Sequence, residues 1–128
     1  MELFNSEEEK KKWAKLAFLW CINNLKKSRF QEKIPKLIIR KNDDKLKGYY
    51  KHSKNIICIY LGNHKDKEDL CETVIHEWKH YQQNMIGMYN RYITKYKRNQ
   101  KNHPYEITAN KFAKKHTNNC KKWIEQTK

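Results

Sequence analysis

No stretch of this chain approaches the roughly 18 to 20 consecutive apolar residues that a membrane-spanning helix needs. A helical membrane protein is therefore not expected. The opening residues, MELFNSEEEKKKW, run from acidic to basic, the wrong order for a secretory signal peptide. Cytoplasmic residence is the expectation. The four cysteines, Cys21, Cys58, Cys71 and Cys120, are scattered without a CxxC pair, which excludes a zinc knuckle or a thioredoxin-type centre and leaves buried reduced thiols. With 3 glycines and 2 prolines there is no Gly/Ser-rich linker, and no repeat or low-complexity block divides the 128 residues. The chain reads as a single domain spanning 1–128.

Arginine is also scarce, confined to Arg29, Arg40, Arg91 and Arg98, although 29 basic residues against 14 acidic ones give a net charge of +15. The excess is lysine spread through every segment, whereas dedicated readers of phosphates and bases favour clustered arginine. Together with the abundance of Asn, Ile and Tyr, this lysine excess looks like the bias of an AT-rich genome. The charge is read first as a solvated surface, and second as an affinity for nucleic acid or an acidic partner. A hydrophobic fraction of 38%, including Trp13, Trp20, Trp78 and Trp123, is enough for one modest core, and the mean hydropathy of −1.16 implies a very polar surface. A monomer is expected.

Local patterns divide the chain. Ser6 followed by Glu9 has capping-box spacing, and Glu7, Glu8 and Glu9 suit the positive end of a helix, whose apolar face runs through Trp13, Leu16, Ala17 and Trp20 to about Lys27. From Ile34 to Gly62 the runs IPKLIIR and GYYKHSKNIICIYLG are β-branched and aromatic, broken by KNDDK and HSKN, which predicts a small, mostly antiparallel sheet. Helical spacing returns from Asp66 to Asn84, with Asp66 or Asn63 as the cap. Gly87 is expected to end that helix, and Met88 to Gln100 fits either a helical stripe or a packed loop. Asn102, His103 and Pro104 then open a last helix that continues through Phe112, Cys120 and Ile124.

The second helix carries HEWKH at residues 76 to 80. Four residues along a helix place His76 and His80 on one face on successive turns, where they can share one metal ion. Two imidazoles and a third ligand leave a fourth tetrahedral position on zinc for water, whose pKa the ion lowers towards about 7. Glu77 can then take the proton of that water and deliver it to a leaving amine. Five residues alone can match by chance, so a third ligand is required. The last helix offers one in Glu106, which shares a face with Ala109, Asn110 and Ala113. Small residues permit close helix approach, bringing Glu106 to the metal and Asn110 to a ligand imidazole.

HEWKH followed by EITAN at 106 to 110 resembles the two motifs of the gluzincin metallopeptidases, and the ExxANxFA pattern is similar to the ImmA/IrrE-type peptidases. The resemblance covers little more than residues 70 to 113. It implies a zincin-like fold with zinc held by His76, His80 and Glu106, Glu77 as general base, and Asn110 orienting a ligand histidine. Asn110 departs from the commoner aspartate, since an amide accepts a hydrogen bond without adding negative charge. SprT-like proteases, which act on DNA-bound proteins, offer a second resemblance with a histidine as third ligand. In that reading His103 is the alternative ligand, although its place directly before Pro104 suits a residue at the start of a helix.

Tyr105 and Tyr81 adjoin the motifs, and either could donate to a developing oxyanion. His52 and His64 fall in turns and are expected to be solvated, and His116 to be a partly buried packing residue. The run NIICIYL reads either as an edge strand that pairs with extended substrate or as an ordinary buried strand. The expectation is thus an α+β, zincin-like domain with an N-terminal helix, a small sheet, the HExxH helix and a C-terminal helix. It would be a zinc-dependent metallopeptidase acting on a polypeptide substrate. The competing expectation is a basic, nucleic-acid-associated protein, either SprT-like or a non-catalytic zinc-binding module.

Overall fold

The computed structural model describes residues 6–28, 33–42, 46–51, 53–83 and 104–127, with only the backbone of residues 104 and 105. Gly87, the ambiguous stretch from Met88 to Gln100, His52 and His103 lie outside the described residues. The architecture is α+β, with three helices and one three-stranded sheet among the described residues. None of these helices is long and apolar enough to cross a membrane.

Helix α1 spans Glu7–Asn24 and starts where the capping signal lies: Ser6 Oγ accepts from the Glu9 amide at 3.2 Å. Its buried face is Trp13, Ala14, Ala17, Trp20 and Cys21. The Glu9 carboxylate also accepts from the Trp13 indole at 3.0 Å, so this acidic first turn has a packing role beside its electrostatic one. Strands β1 (Lys36–Arg40), β2 (Gly48–Lys51) and β3 (Ile56–Tyr60) follow.

The sheet is mixed, in the order β1-β3-β2, and not mostly antiparallel. β3 pairs antiparallel with β2, Tyr49 opposite Cys58, and parallel with β1, Ile38 opposite Cys58. The reason lies in hydrophobicity. β3 is the most continuously apolar strand, with Ile57, Cys58 and Ile59 wholly buried, so the central position covers both its edges while the more polar strands flank it. This also decides between the two readings of NIICIYL: it is the buried central strand, and the edges belong to β1 and β2. Asn55, in the β2–β3 turn, takes a positive φ of 53° and is held from both sides, accepting from the Tyr50 hydroxyl and donating to the Lys33 carbonyl.

Helix α2 (Lys67–Gln82) is capped by Asp66, whose carboxylate accepts from the Asp69 amide at 2.8 Å. It is the hub of the core, packing against α1, the last helix, β2 and β3. Leu70, Val74, Ile75, Trp78 and Tyr81 are completely buried. Helix α3 (Pro104–Thr127) begins with proline at its first position, as the sequence pattern predicts. Ala109, Ala113, Cys120 and Ile124 form its buried stripe.

Helices α2 and α3 lie antiparallel. Glu68 at the start of α2 meets Lys121 near the end of α3, Cys71 hydrogen-bonds Cys120 one turn further in, and His80 near the end of α2 meets Glu106 at the start of α3. Cys21 of α1 joins the Cys71 and Cys120 thiols, and all four cysteines are buried and free. The Cys120 thiol is pushed far above its usual range by the bond to Cys71 and by burial, and burial does the same to Cys21. Neutral thiols therefore serve as core packing here.

Candidate metal centre

The antiparallel contact of α2 and α3 brings His76, His80 and Glu106 together, with one donor atom from each lying within 4.8 Å of the others. His76 Nε2 is 3.2 Å from Glu106 Oε2, His80 Nε2 is 2.8 Å from Glu106 Oε1, and the two Nε2 atoms are 3.1 Å apart. Tetrahedral zinc with bonds of about 2.0 to 2.1 Å has donor-to-donor edges of about 3.3 Å, so a small opening of the triangle accommodates the ion. The donor set fits too, since imidazole nitrogen and carboxylate oxygen are ordinary zinc ligands.

Burial and charge are coupled in this group. Burial opposes ionisation of Glu106, but hydrogen bonds from His76 and His80 outweigh it and hold the carboxyl well below the usual range. Burial likewise opposes charging of His76, and the hydrogen bond to Glu106, the nearby Glu77 and Glu106 charges and a hydrogen bond to the Asn110 side-chain oxygen more than offset it. Without a cation, the carboxylate holds imidazole protons in place. A divalent cation would take over the same charge role.

Asn110, one helical turn after Glu106, lies beside His76 as a hydrogen-bond acceptor. The corresponding partner of His80 is a residue the motif does not include. Its Nδ1 lies 3.0 Å from the side-chain oxygen of Gln83, and donation from Nδ1 to that oxygen leaves Nε2 as the ligand atom. Gln83 is three residues beyond His80 on the same helix face, so helical spacing could have found it.

Glu77 lies beside this group and is 7% exposed. Burial raises its pKa, the neighbouring His80 and His76 charges lower it, and the balance stays above the ordinary carboxyl value. Its carboxylate accepts from the Tyr50 backbone amide on β2. The β2 register explains this contact: Lys47 accepts from the Tyr60 amide, so alternate residues bond β3 and Tyr50 directs its amide to the outer edge. No sequence signal marks such a bond, because every residue but proline carries the donor.

Of these residues His76, Glu77 and Asn110 line a cleft of about 230 Å³, together with Lys47, Gly48, Asp69 and Glu72. At Gly48, β2 presses close on its neighbours. A Cβ there would stand 2.7 Å from the Cys58 carbonyl oxygen and 3.1 Å from the Thr73 methyl, so glycine permits the approach of strand to helix.

Other candidates are placed elsewhere. Tyr81 is completely buried against Trp78, at 4.9 Å between ring centroids, and Tyr50, and does not line the cleft. The Tyr105 side chain and His103 fall outside the described residues. His116 is half-buried and packs on Phe112, as expected. His64 differs from expectation: it is 3% exposed, and neither ring nitrogen has a hydrogen-bond partner among the described residues. The 3-10 turn Leu61–Asn63 carries the chain from β3 towards α2, and His64 is enclosed at the junction although Gly62, Lys65 and Asp66 around it are exposed. Comparison of the chain with family models, curated proteins and solved structures gives no match.

Proposed function

We infer that this chain is a zinc-dependent metallopeptidase of zincin-like plan, hydrolysing peptide bonds with His76, His80 and Glu106 as ligands and Glu77 as general base. The observation that carries the reading is the convergence of those three donors, with His76 among them lining a cleft that Glu77 also lines. A bound zinc ion supplies Lewis acidity, polarising a carbonyl and acidifying water.

The chain's own residues do the rest. Glu77 Oε takes a proton from the attacking water and passes it to the leaving amine, and its raised pKa suits both halves of that task. The Tyr50 amide restrains the carboxylate of Glu77, which lines the cleft. Asn110 and Gln83 hold the two imidazoles in ligand orientation. The outer edge of β2 lies beside the cleft, and its backbone groups other than the Tyr50 amide are suited to accept an extended polypeptide by backbone pairing.

Incubating the zinc-loaded chain with an unfolded protein and reading new termini by mass spectrometry tests the reading. Cleavage that disappears in E77Q supports it; no cleavage by the fully loaded chain would remove it. The net charge of +15 favours a second reading, a nucleic-acid-associated protein whose zinc is structural. That reading requires DNA affinity falling steeply with salt and no proteolysis.

A further inference from the structure

The cleft runs from His76 and Glu77 towards the start of α2, where Asp69 and Glu72 line it. Their charges are in different states. Lys47 Nζ sits 2.7 Å from Asp69 Oδ1, and the Lys65 amide donates to the other oxygen, so Asp69 is already compensated. Glu72 is half-buried and has no hydrogen bond or ion pair among the described residues. In a chain of net charge +15, where lysine is abundant, this carboxylate stands without a cation among the described residues and lines the cleft.

Its position relative to the reacting groups can be read from the helix. Glu72 precedes His76 by one turn, or about 6 Å along α2. Strand β2 runs beside this stretch, with Gly48 against Thr73 and the Tyr50 amide against Glu77. Two strand residues cover about 6.6 Å and four helical residues about 6 Å, so strand and helix keep pace along the cleft. An extended polypeptide following β2 would pass Glu72 about two residues from the bond nearest Glu77.

We propose that Glu72 is a specificity-determining residue that selects a lysine or arginine side chain one or two residues from the scissile bond. The inference rests on the peptidase reading. Asp69 does not compete for that side chain, because Lys47 already occupies it. A half-buried carboxylate meeting a cationic side chain forms a charge-assisted hydrogen bond stronger than one to a neutral partner.

The test uses the full zinc-loaded chain and a peptide library randomised around a central position, with products sequenced by mass spectrometry. Matched peptides carrying Lys or Gln at the selected position then give kcat/KM. The expected result is enrichment of Lys and Arg one or two residues from the cleaved bond, and a Lys-over-Gln preference of about tenfold or more. In E72Q that ratio falls to near one, and in E72K it shifts towards acidic peptides, while zinc content and far-UV circular dichroism report whether each variant is folded. Cleavage without basic selection, or selection that survives in E72Q, overturns this proposal alone. Failure of the loaded wild-type chain to cleave any library member overturns the peptidase reading and this proposal with it.

Discussion

Nδ1 of His80 lies 3.0 Å from the side-chain oxygen of Gln83, a contact within one helix face that fixes which nitrogen points at Glu106. Removing an oriented partner of a ligand histidine typically weakens metal binding about 10- to 100-fold. Q83A should therefore bind zinc about that much more weakly while folding normally. Competition with a chromogenic chelator measures it, and unchanged affinity would show that the Gln83 contact is incidental to the site.

Glu77 and the metal ligands should separate experimentally. E77Q keeps all three donor atoms, so zinc content should stay near that of the parent, while the loss of the general base should reduce kcat by about 100- to 10,000-fold. Zinc content and steady-state cleavage measured on the same preparation check both halves. A substantially active E77Q would remove Glu77 from the proposed chemistry.

The spacing of HEWKH, Glu106 and Asn110 was legible because both helices announce themselves. Asp66 caps one and Pro104 opens the other, and Ala109 and Ala113 mark the face along which they can approach. The sheet order was not legible in the same way. Strand periodicity tells which residues alternate but not which strand lies in the middle, and the antiparallel β2–β3 turn conceals the parallel pairing of β3 with β1. Tyr81 shares the helical stripe of Trp78 closely enough to pack in the core, so adjacency to the motif said nothing about access to the cleft. The Tyr50 amide and the exposure of His64 depend on tertiary packing alone.

The close approach of α2 and α3 makes Ala109 a sensitive position, since it is completely buried one turn beyond Glu106. Inserting a larger side chain into such a contact costs about 1 to 3 kcal/mol. A109L should lose stability in that range and also bind zinc more weakly, because the helices that carry the ligands are pushed apart. Chemical denaturation of the metal-free chain and zinc titration read the two effects. Normal stability with normal zinc affinity would mean that the helices are not in close contact there.

His64 gives the fold a pH dependence. Burial lowers its pKa below the ordinary value of about 6.5, against a smaller opposing effect of the Asp69 charge, so the folded chain holds it neutral while the unfolded chain can protonate it. Its contribution is intact above about pH 6.5 and declines as pH falls through that value towards the folded-state pKa. H64L removes both the titration and two unbonded buried nitrogens, so it should be at least as stable as the parent at pH 7.5 and lose less on moving to pH 5.5. Urea denaturation of both proteins at the two pH values tests this, and parallel losses would show that His64 does not titrate within the fold.

The central claim is that His76, His80 and Glu106 hold one zinc ion together. Zinc content by elemental analysis, on the parent and on H76A, H80A and E106A after dialysis against equal free zinc, tests it most directly. The account predicts one zinc per parent chain and a large loss in each variant. A stoichiometry unchanged in H76A and E106A would contradict it.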